Sequence, residues 1–354
     1  MTTPSKRPTI ADIAAAAGVS KGAVSYALNG KPGVSPETRR RIREIAARLG
    51  WHPSSAARAL SEGRADAIGL VVDRPAWILG VEPFFMQLVS GIESRLSHTG
   101  TALVMQSTES ADPASPNSAE ARLYRRWWGE RRVDGVLLVD LRVGDTRPQL
   151  AAGLGMPAVV VGQWEGPLPP GVGAVWVDDG SAARDALDYL VALGHRRIAR
   201  VAGPGSFLHV HQRGAALAGA ALRLGIPEPA TVCTDYTGED GARATRRLLS
   251  APPEQRPTAI VYDNDVMAVA ALGVAQEMGV RVPAELSLLA WDDSALCRLV
   301  HPALTAVDRD VPRFGARTAE VLLELVDGAE AAPVRLDPPR LAVRGSTAPL
   351  RQDG

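Results

Sequence analysis

From residue 65 onward, short and almost unbroken apolar runs alternate with amphipathic stretches, and few folds satisfy that pattern. The runs at 67–72, 102–106, 135–139, 158–161, 198–202, 231–234, 259–262 and 286–290 read as strands. Helical periodicity fills the gaps at 84–96, 119–131, 183–193, 214–224, 241–249 and 266–278. A strand that is apolar on both faces must be covered on both, which crossover helices do in a parallel sheet. About ten strands in this stretch fit two such sheets better than one. Ligands of open α/β sheets bind beyond the carboxyl ends of the strands, so polar residues there become the first candidates for a site.

Charge separates this body from what precedes it. Residues 1–64 hold 11 Lys/Arg against 4 Asp/Glu, and the remainder holds 28 against 35, so a formal net charge of zero hides a basic end and an acidic body. All three lysines, Lys6, Lys21 and Lys31, lie in the basic end. Such a split predicts a small module for a polyanion joined to a larger domain. At 46% hydrophobic and 22% charged, the chain is not dominated by disorder. No apolar run approaches the roughly 18 residues of a membrane span, and the amino terminus lacks a signal-peptide core. A cytoplasmic, nucleoid-associated protein is expected. Two cysteines, Cys233 and Cys297, do not support a disulfide framework or a Cys-built zinc site.

The basic end carries helix punctuation. Thr9 with Asp12 three residues on opens a helix through Ala17, and Gly18 stops it. Ser20 caps a second helix from Lys21 to about Asn29, closed by Gly30. Ser35 with Pro36 opens a third, whose inward stripe is Ile42, Ile45, Ala46 and Leu49. Ala14, Ala17, Val19, Val24 and Leu28 are expected to complete its small core. Two helices across a Gly-containing turn, backed by a third, make a helix-turn-helix unit whose second helix enters the major groove. Lys21 could donate to guanine, while Ser20, Ser25 and helix amides suit phosphates. Tyr26 lies one turn later on the same side. Capping for Ser20 and packing for Tyr26 are the structural alternatives.

These residues resemble a family. Thr9-Ile-Ala-Asp-Ile-Ala14, Ala17-Gly-Val-Ser20, Val24-Ser25, Leu28-Asn29-Gly30, Val34-Ser-Pro-Glu-Thr38 and Leu49-Gly-Trp-His-Pro53 look like the headpiece of the lactose-repressor (LacI/GalR) family. The resemblance implies operator contacts from Thr9, Ser20, Lys21, Gly22, Ser25, Tyr26 and Asn29. Two positions depart from it: Tyr26 stands where Arg is common, and Gly22 offers no side chain to a base. Residues 53–61 then read as a helix too short to be stable alone in water. The resemblance supplies paired hinge helices in the minor groove, with Ser54, Ala57 and Arg58 at the DNA and Leu60 wedged into the central base step. A plain linker is the alternative.

The resemblance extends through the body. Ile68-Gly-Leu-Val71, Gly194-His-Arg-Arg-Ile198, Asn264-Asp-Val-Met-Ala268, Val282-Pro283, Trp291-Asp-Asp293 and Pro302-Ala-Leu-Thr305 look like landmarks of the periplasmic-binding-protein-like effector core of that family. It implies two doubly wound α/β subdomains with three crossovers, placed near 172, 307 and 338. The expected organisation is a headpiece at 1–52, a hinge at 53–64 and an effector and dimerisation domain at 65–354. Within the last, the N-subdomain takes 65–172 and 308–337, and the C-subdomain 173–307 and 338–354. Beyond strand ends lie Asp140 and Arg142, Gln163, and Trp291 with Asp292; Phe84 opens the first helix towards the same cleft. Arg213 falls where the family keeps an effector-contacting Arg, and Asn264 and Asp292 match its polar ligand positions. Arginine beside Asp and Asn suits a polyhydroxyl compound, since the guanidinium donates to vicinal oxygens and the carboxylate accepts from hydroxyls. Gly162 replaces an acidic ligand of several relatives.

Enzyme signatures are scarce. Neither G-x-G-x-x-G nor H-E-x-x-H occurs, and no phosphate-loop lysine exists past residue 31. His209-x-His211 is read as a pair of solvated loop histidines rather than metal ligands, and Trp127-Trp128 as core or subunit contact. No cofactor, catalytic residue or metal is expected. The prediction is a homodimeric transcription regulator, a repressor, that binds double-stranded DNA at a pseudo-palindromic operator and a small effector, a sugar or sugar derivative. The competing readings are a solute-binding protein and an enzyme on the same framework; inducer and co-repressor logic both remain open.

Overall fold

The computed structural model describes residues 8–51, 63–112, 115 and 117–350. The chain forms two units, Met1–Ala65 and Asp66–Gly354. The hinge residues Ser54, Ala57, Arg58 and Leu60 lie outside the described residues.

In the first unit, helices α1 (Ile10–Ala17), α2 (Lys21–Leu28) and α3 (Pro36–Arg48) follow the punctuation closely. Thr9 and Asp12 form a reciprocal capping box, Gly18 closes α1 in the left-handed region at φ 67°, and Ser20 and Ser35 cap α2 and α3. Ile13, Ala14, Ala17, Val24, Ala27, Ile42, Ile45 and Ala46 bury the core, with Val19 and Leu28 half-buried against it. Leu49, expected in the stripe, is 40% exposed. It caps the carboxyl end of α3 and has turned off the buried face.

The second unit contains two six-stranded sheets. The first joins β1 (Ala67–Val72), β2 (Ala102–Ser107), β3 (Gly135–Leu138), β4 (Ala158–Val161), β5 (Val172–Trp176) and β11 (Pro333–Arg335) in the order β11-β5-β4-β3-β1-β2, all parallel. The second joins β6 (Ile198–Ala202), β7 (Ala230–Cys233), β8 (Ala259–Tyr262), β9 (Ser287–Trp291), β10 (Thr305–Asp308) and β12 (Arg340–Ala342) in the order β12-β10-β9-β8-β6-β7. Only β12 runs antiparallel in that sheet.

Helices cover the sheets in crossover fashion. They are α4 (Ile78–Val81), α5 (Pro83–Leu96), α6 (Ala119–Gly129), α7 (Arg147–Leu154), α8 (Asp179–Ala192), α9 (Leu208–Leu224), α10 (Gly238–Leu249), α11 (Asp265–Glu277), α12 (Ala295–Leu299) and α13 (Val311–Val326). Central strands are buried on every residue, as doubly covered sheets require.

The chain passes between sheets after β5, after β10 and between β11 and β12. The first passage therefore lies past Trp176, whereas 172 had been expected. Gly173 interrupts the apolar run there, and the site is tight: Leu325 of α13 stands 3.3 Å from where a β-carbon would sit. Trp127 is fully buried against Gly69, so the Trp127-Trp128 pair serves the core and offers no stacking surface.

Candidate functional site

On the headpiece, Ser20, Lys21, Gly22 and Asn29 are exposed, and Tyr26 is 49% exposed. Ser20 Oγ accepts from Ala23 N at 3.1 Å, so its O–H stays free to donate. Ser25 Oγ accepts from Asn29 Nδ2 at 3.5 Å. Thr9 is occupied by its box, donating to Asp12 Oδ2 at 2.7 Å. Gly18-Val-Ser-Lys-Gly22 also fits the G-x-S-x-G spacing of a hydrolase nucleophile elbow. That motif needs a strand before the serine; here Ser20 lies between two helices and caps the second.

In the second unit, the carboxyl ends of both sheets converge on one cleft. Arg74 follows β1, Asp140 β3, Gln163 β4, Asp179 β5, Asp263 β8, Asp292 β9 and Arg309 β10, and all line it. Its cavity is tight in this structure, about 60 Å³. Phe84 of α5, with Arg309 stacked over its ring at 4.7 Å, and Arg213 of α9 complete the set of sequence candidates found there. Asp140 and Asp292 both hold left-handed backbone, at φ 50° and 66°, a conformation that Asp tolerates better than most residues and that gathers at functional sites.

Arginine forks fix these carboxylates. Arg74 donates to both oxygens of Asp140 at 2.6 and 2.8 Å and to Glu82 at 3.0 Å. Arg309 reaches Asp292 at 2.9 Å, Arg213 reaches Asp179 at 2.8 Å, and Arg200 reaches Asp263 at 2.6 Å. Burial pushes the Glu82 carboxyl up to about 7; Arg74 opposes the rise and Asp140 adds to it. Burial, reinforced by Arg213, Arg309 and Arg74, holds His209 well below its ordinary value. His209 Nε2 lies 2.7 Å from Tyr236 Oη, and both rings stack with Phe207. Arg74, from the first sheet, lies over the Phe207 and Tyr236 rings of the second at 4.7 and 5.0 Å. The backbone links the two subdomains as well: Leu208 N donates to Leu141 O at 2.8 Å and Val143 N to Ser206 O at 3.1 Å.

Three candidates do not line the cleft. Arg142 is buried beside it in a separate network, 3.1 Å from Asp73 and 3.5 Å from Glu120, which Arg147 and Tyr124 complete. Asn264 is spent at both ends: its Oδ1 caps α11 through Met267 N, and its Nδ2 donates to Tyr236 O, each at 2.9 Å. Trp291 belongs to β9 itself, so its side chain points into the core, where Arg213 stacks on it at 4.1 Å. The His pair also reads differently. His209 sits on the first turn of α9 and lines the cleft, whereas His211 is exposed. No cluster able to hold a metal occurs among the described residues.

Arg74, Glu82, Asp179, His209, Tyr236 and Arg309 escaped the sequence reading. Arg74 and Arg309 carry the strand-end signal already used for Asp140, and Arg309 follows β10, a strand absent from the sequence reading. Tyr236 has no sequence signal. It enters the cleft from a loop at φ 73° and occupies room left by Gly203, whose β-carbon would stand 1.9 Å from the ring.

Known proteins share this organisation. Residues 9–54 match the family described as bacterial regulatory proteins, lacI family, and residues 187–347 match the periplasmic binding protein-like domain. The chain is 33% identical to the HTH-type transcriptional regulator CelR of Thermobifida fusca over 333 residues, 94% of this chain and 95% of that one. A solved transcriptional regulator CelR–cellobiose complex is similar at 31% identity and TM-score 0.70, over 96% of this chain and all of that one. The lac repressor dimer bound to operator and the anti-inducer ONPF is similar at 26% identity and TM-score 0.81, over 97% of this chain and all of that one. No helix among the described residues is long and apolar enough to cross a membrane.

Proposed function

The chain belongs to the LacI family of bacterial regulatory proteins, DNA-binding transcriptional regulators rather than enzymes, and from that premise we propose that it is a homodimeric repressor whose operator affinity is set by a sugar held between its two sheets. One observation carries this reading: the carboxyl edges of both sheets meet in a single cleft lined by carboxylates, arginine forks and an aromatic face. Carboxylates accept from hydroxyls, guanidinium groups donate to ring and hydroxyl oxygens, and Phe84 offers a face to apolar C–H groups. The cellobiose bound by the CelR structure supports a ligand of this kind.

In this proposal the exposed ends of α2 read the major groove, and Leu60 wedges into the minor groove. Occupancy of the cleft changes how the two subdomains meet at the Leu141–Leu208 contact, which biases hinge pairing. The site of action is cytoplasmic DNA. The test is direct. Duplexes selected from a random library by the full-length protein are titrated with and without cellobiose, glucose and ribose. At least one sugar is expected to change affinity by about 5–150-fold. Identical affinity with every sugar contradicts the proposal.

A further inference from the structure

Among the described residues that line the cleft, Asp179 holds the one buried side-chain oxygen without a partner. Only 7% of the residue is exposed, and its Oδ2 takes Arg213 Nε at 3.0 Å and Nη2 at 2.8 Å, with Arg309 Nη1 at 3.8 Å. Its Oδ1 is buried and has no partner. A carboxylate oxygen removed from water without a donor carries an uncompensated desolvation cost, so a donor arriving in the cleft is strongly favoured.

The local sequence explains why this oxygen is spare. Of the adjacent pair Asp178-Asp179, Asp178 does the capping, accepting from Ser181 N at 2.8 Å and from Arg335 at 2.9 Å. Asp179 is thereby released from helix duty. Its partner Arg213 is clamped from below by Trp291, so the pair has little freedom to rearrange.

Every cleft cation, by contrast, is already taken. Arg74 serves Asp140 and Glu82, Arg309 serves Asp292, and Arg213 serves Asp179. Arg200, just behind the lining, clamps Asp263, and burial pushes Glu82 up to about 7, so no lining carboxylate is left without an arginine and none of the three lining arginines is left over. A phosphate or carboxylate on a ligand would find every arginine fork occupied, whereas a hydroxyl that reaches Asp179 Oδ1 would find an unpaired acceptor.

We propose that Asp179 is the specificity-determining acceptor for the effector, and that the cleft selects an uncharged, hydroxyl-donating sugar over its phosphorylated or carboxylated counterparts. This rests on the reading of the cleft as the effector site.

Calorimetric titration of the full-length protein with matched pairs tests it: cellobiose and cellobionate, glucose and glucose 6-phosphate, ribose and ribose 5-phosphate. The bound members are expected to be uncharged, with each anionic counterpart at least ~100-fold weaker. Asp179→Asn is expected to weaken the bound sugar by ~10–100-fold, the worth of a hydrogen bond to a charged group. Removing one particular hydroxyl from that sugar should cost the wild type at least ~10-fold and the variant nothing, as a coupled pair requires. If Asp179→Asn does not melt like its parent, the crystal structure of the wild type with the bound sugar decides: a hydroxyl within hydrogen-bond distance of Oδ1 upholds the assignment, and a bare Oδ1 overturns it. Anionic members that bind as tightly and shift operator affinity overturn it too, while leaving the sensing role intact. A folded Asp179→Asn protein with unchanged affinity does the same. Silence from the whole panel defeats the sugar reading, and this assignment with it.

Discussion

Arg142, which follows a strand, and Arg213, on a helix, are both buried, yet only Arg213 lines the cleft. Arg213 projects from α9 between Asp179 and Trp291, whereas Arg142 turns away to Asp73 and Glu120. Replacing Arg213 by Ala should therefore weaken any sugar response by tenfold or more while sparing operator affinity in its absence; a fully responsive variant would remove Arg213 from the site. Glu82 supports a prediction with a definite sign. Its carboxyl titrates near 7 in the folded chain against an ordinary 4.5, because burial and Asp140 disfavour its charge. Stability from this group is complete below about pH 4.5 and is lost as pH rises through 7. Glutamine has no such dependence, so the stability of the wild type relative to Glu82→Gln should fall by about 1–3 kcal/mol between pH 4.5 and 8. Urea unfolding of both proteins across that range checks this, and parallel curves would contradict it. At this scale the sequence showed which side chains follow strands. It could not show which way each turns, because that depends on partners 50 to 70 positions away, as with Arg200–Asp263 and Arg74–Asp140.

Elements were more legible. Thr9, Ser20 and Ser35 start the headpiece helices because their side-chain oxygens satisfy amide groups that the helix leaves unpaired. The strands that went unrecognised have their own physical explanation. β11 and β12 are three residues each at sheet edges, and β5 is interrupted by Gly173, packed against α13. That helix makes a further close approach. A β-carbon at Gly315 would stand 2.3 Å from Leu88 O, and one at Gly91 would stand 1.9 Å from Pro312 O. Both obstacles are backbone, so neither can move aside cheaply. Gly315→Ala should destabilise the second unit by about 2 kcal/mol or more, at the upper end for an overpacked interior. Thermal unfolding reads this out, and an unchanged midpoint would show that α5 and α13 can separate without cost.

At the scale of the whole molecule, a basic helical unit and an acidic two-sheet unit divide the labour. Deleting residues 1–64 should abolish operator binding and leave sugar binding intact, measured by anisotropy and calorimetry; retained operator affinity would refute the division. The intact protein should lose ~10³-fold or more in DNA affinity between 50 and 200 mM salt if about six phosphates are neutralised. Local order alone determined the headpiece, the parallel character of the sheets and the edge at which a ligand would sit, since caps, periodicity and apolar runs act between near neighbours. Tertiary structure decided the cleft's composition. Arg309 and Asp179 reach it from the two sides of chain crossings, Tyr236 through the space Gly203 leaves, and Arg74 across to the aromatic rings of the opposite sheet. A site assembled where two sheets face each other is specified by contacts between distant segments, and no local pattern encodes which of those contacts form.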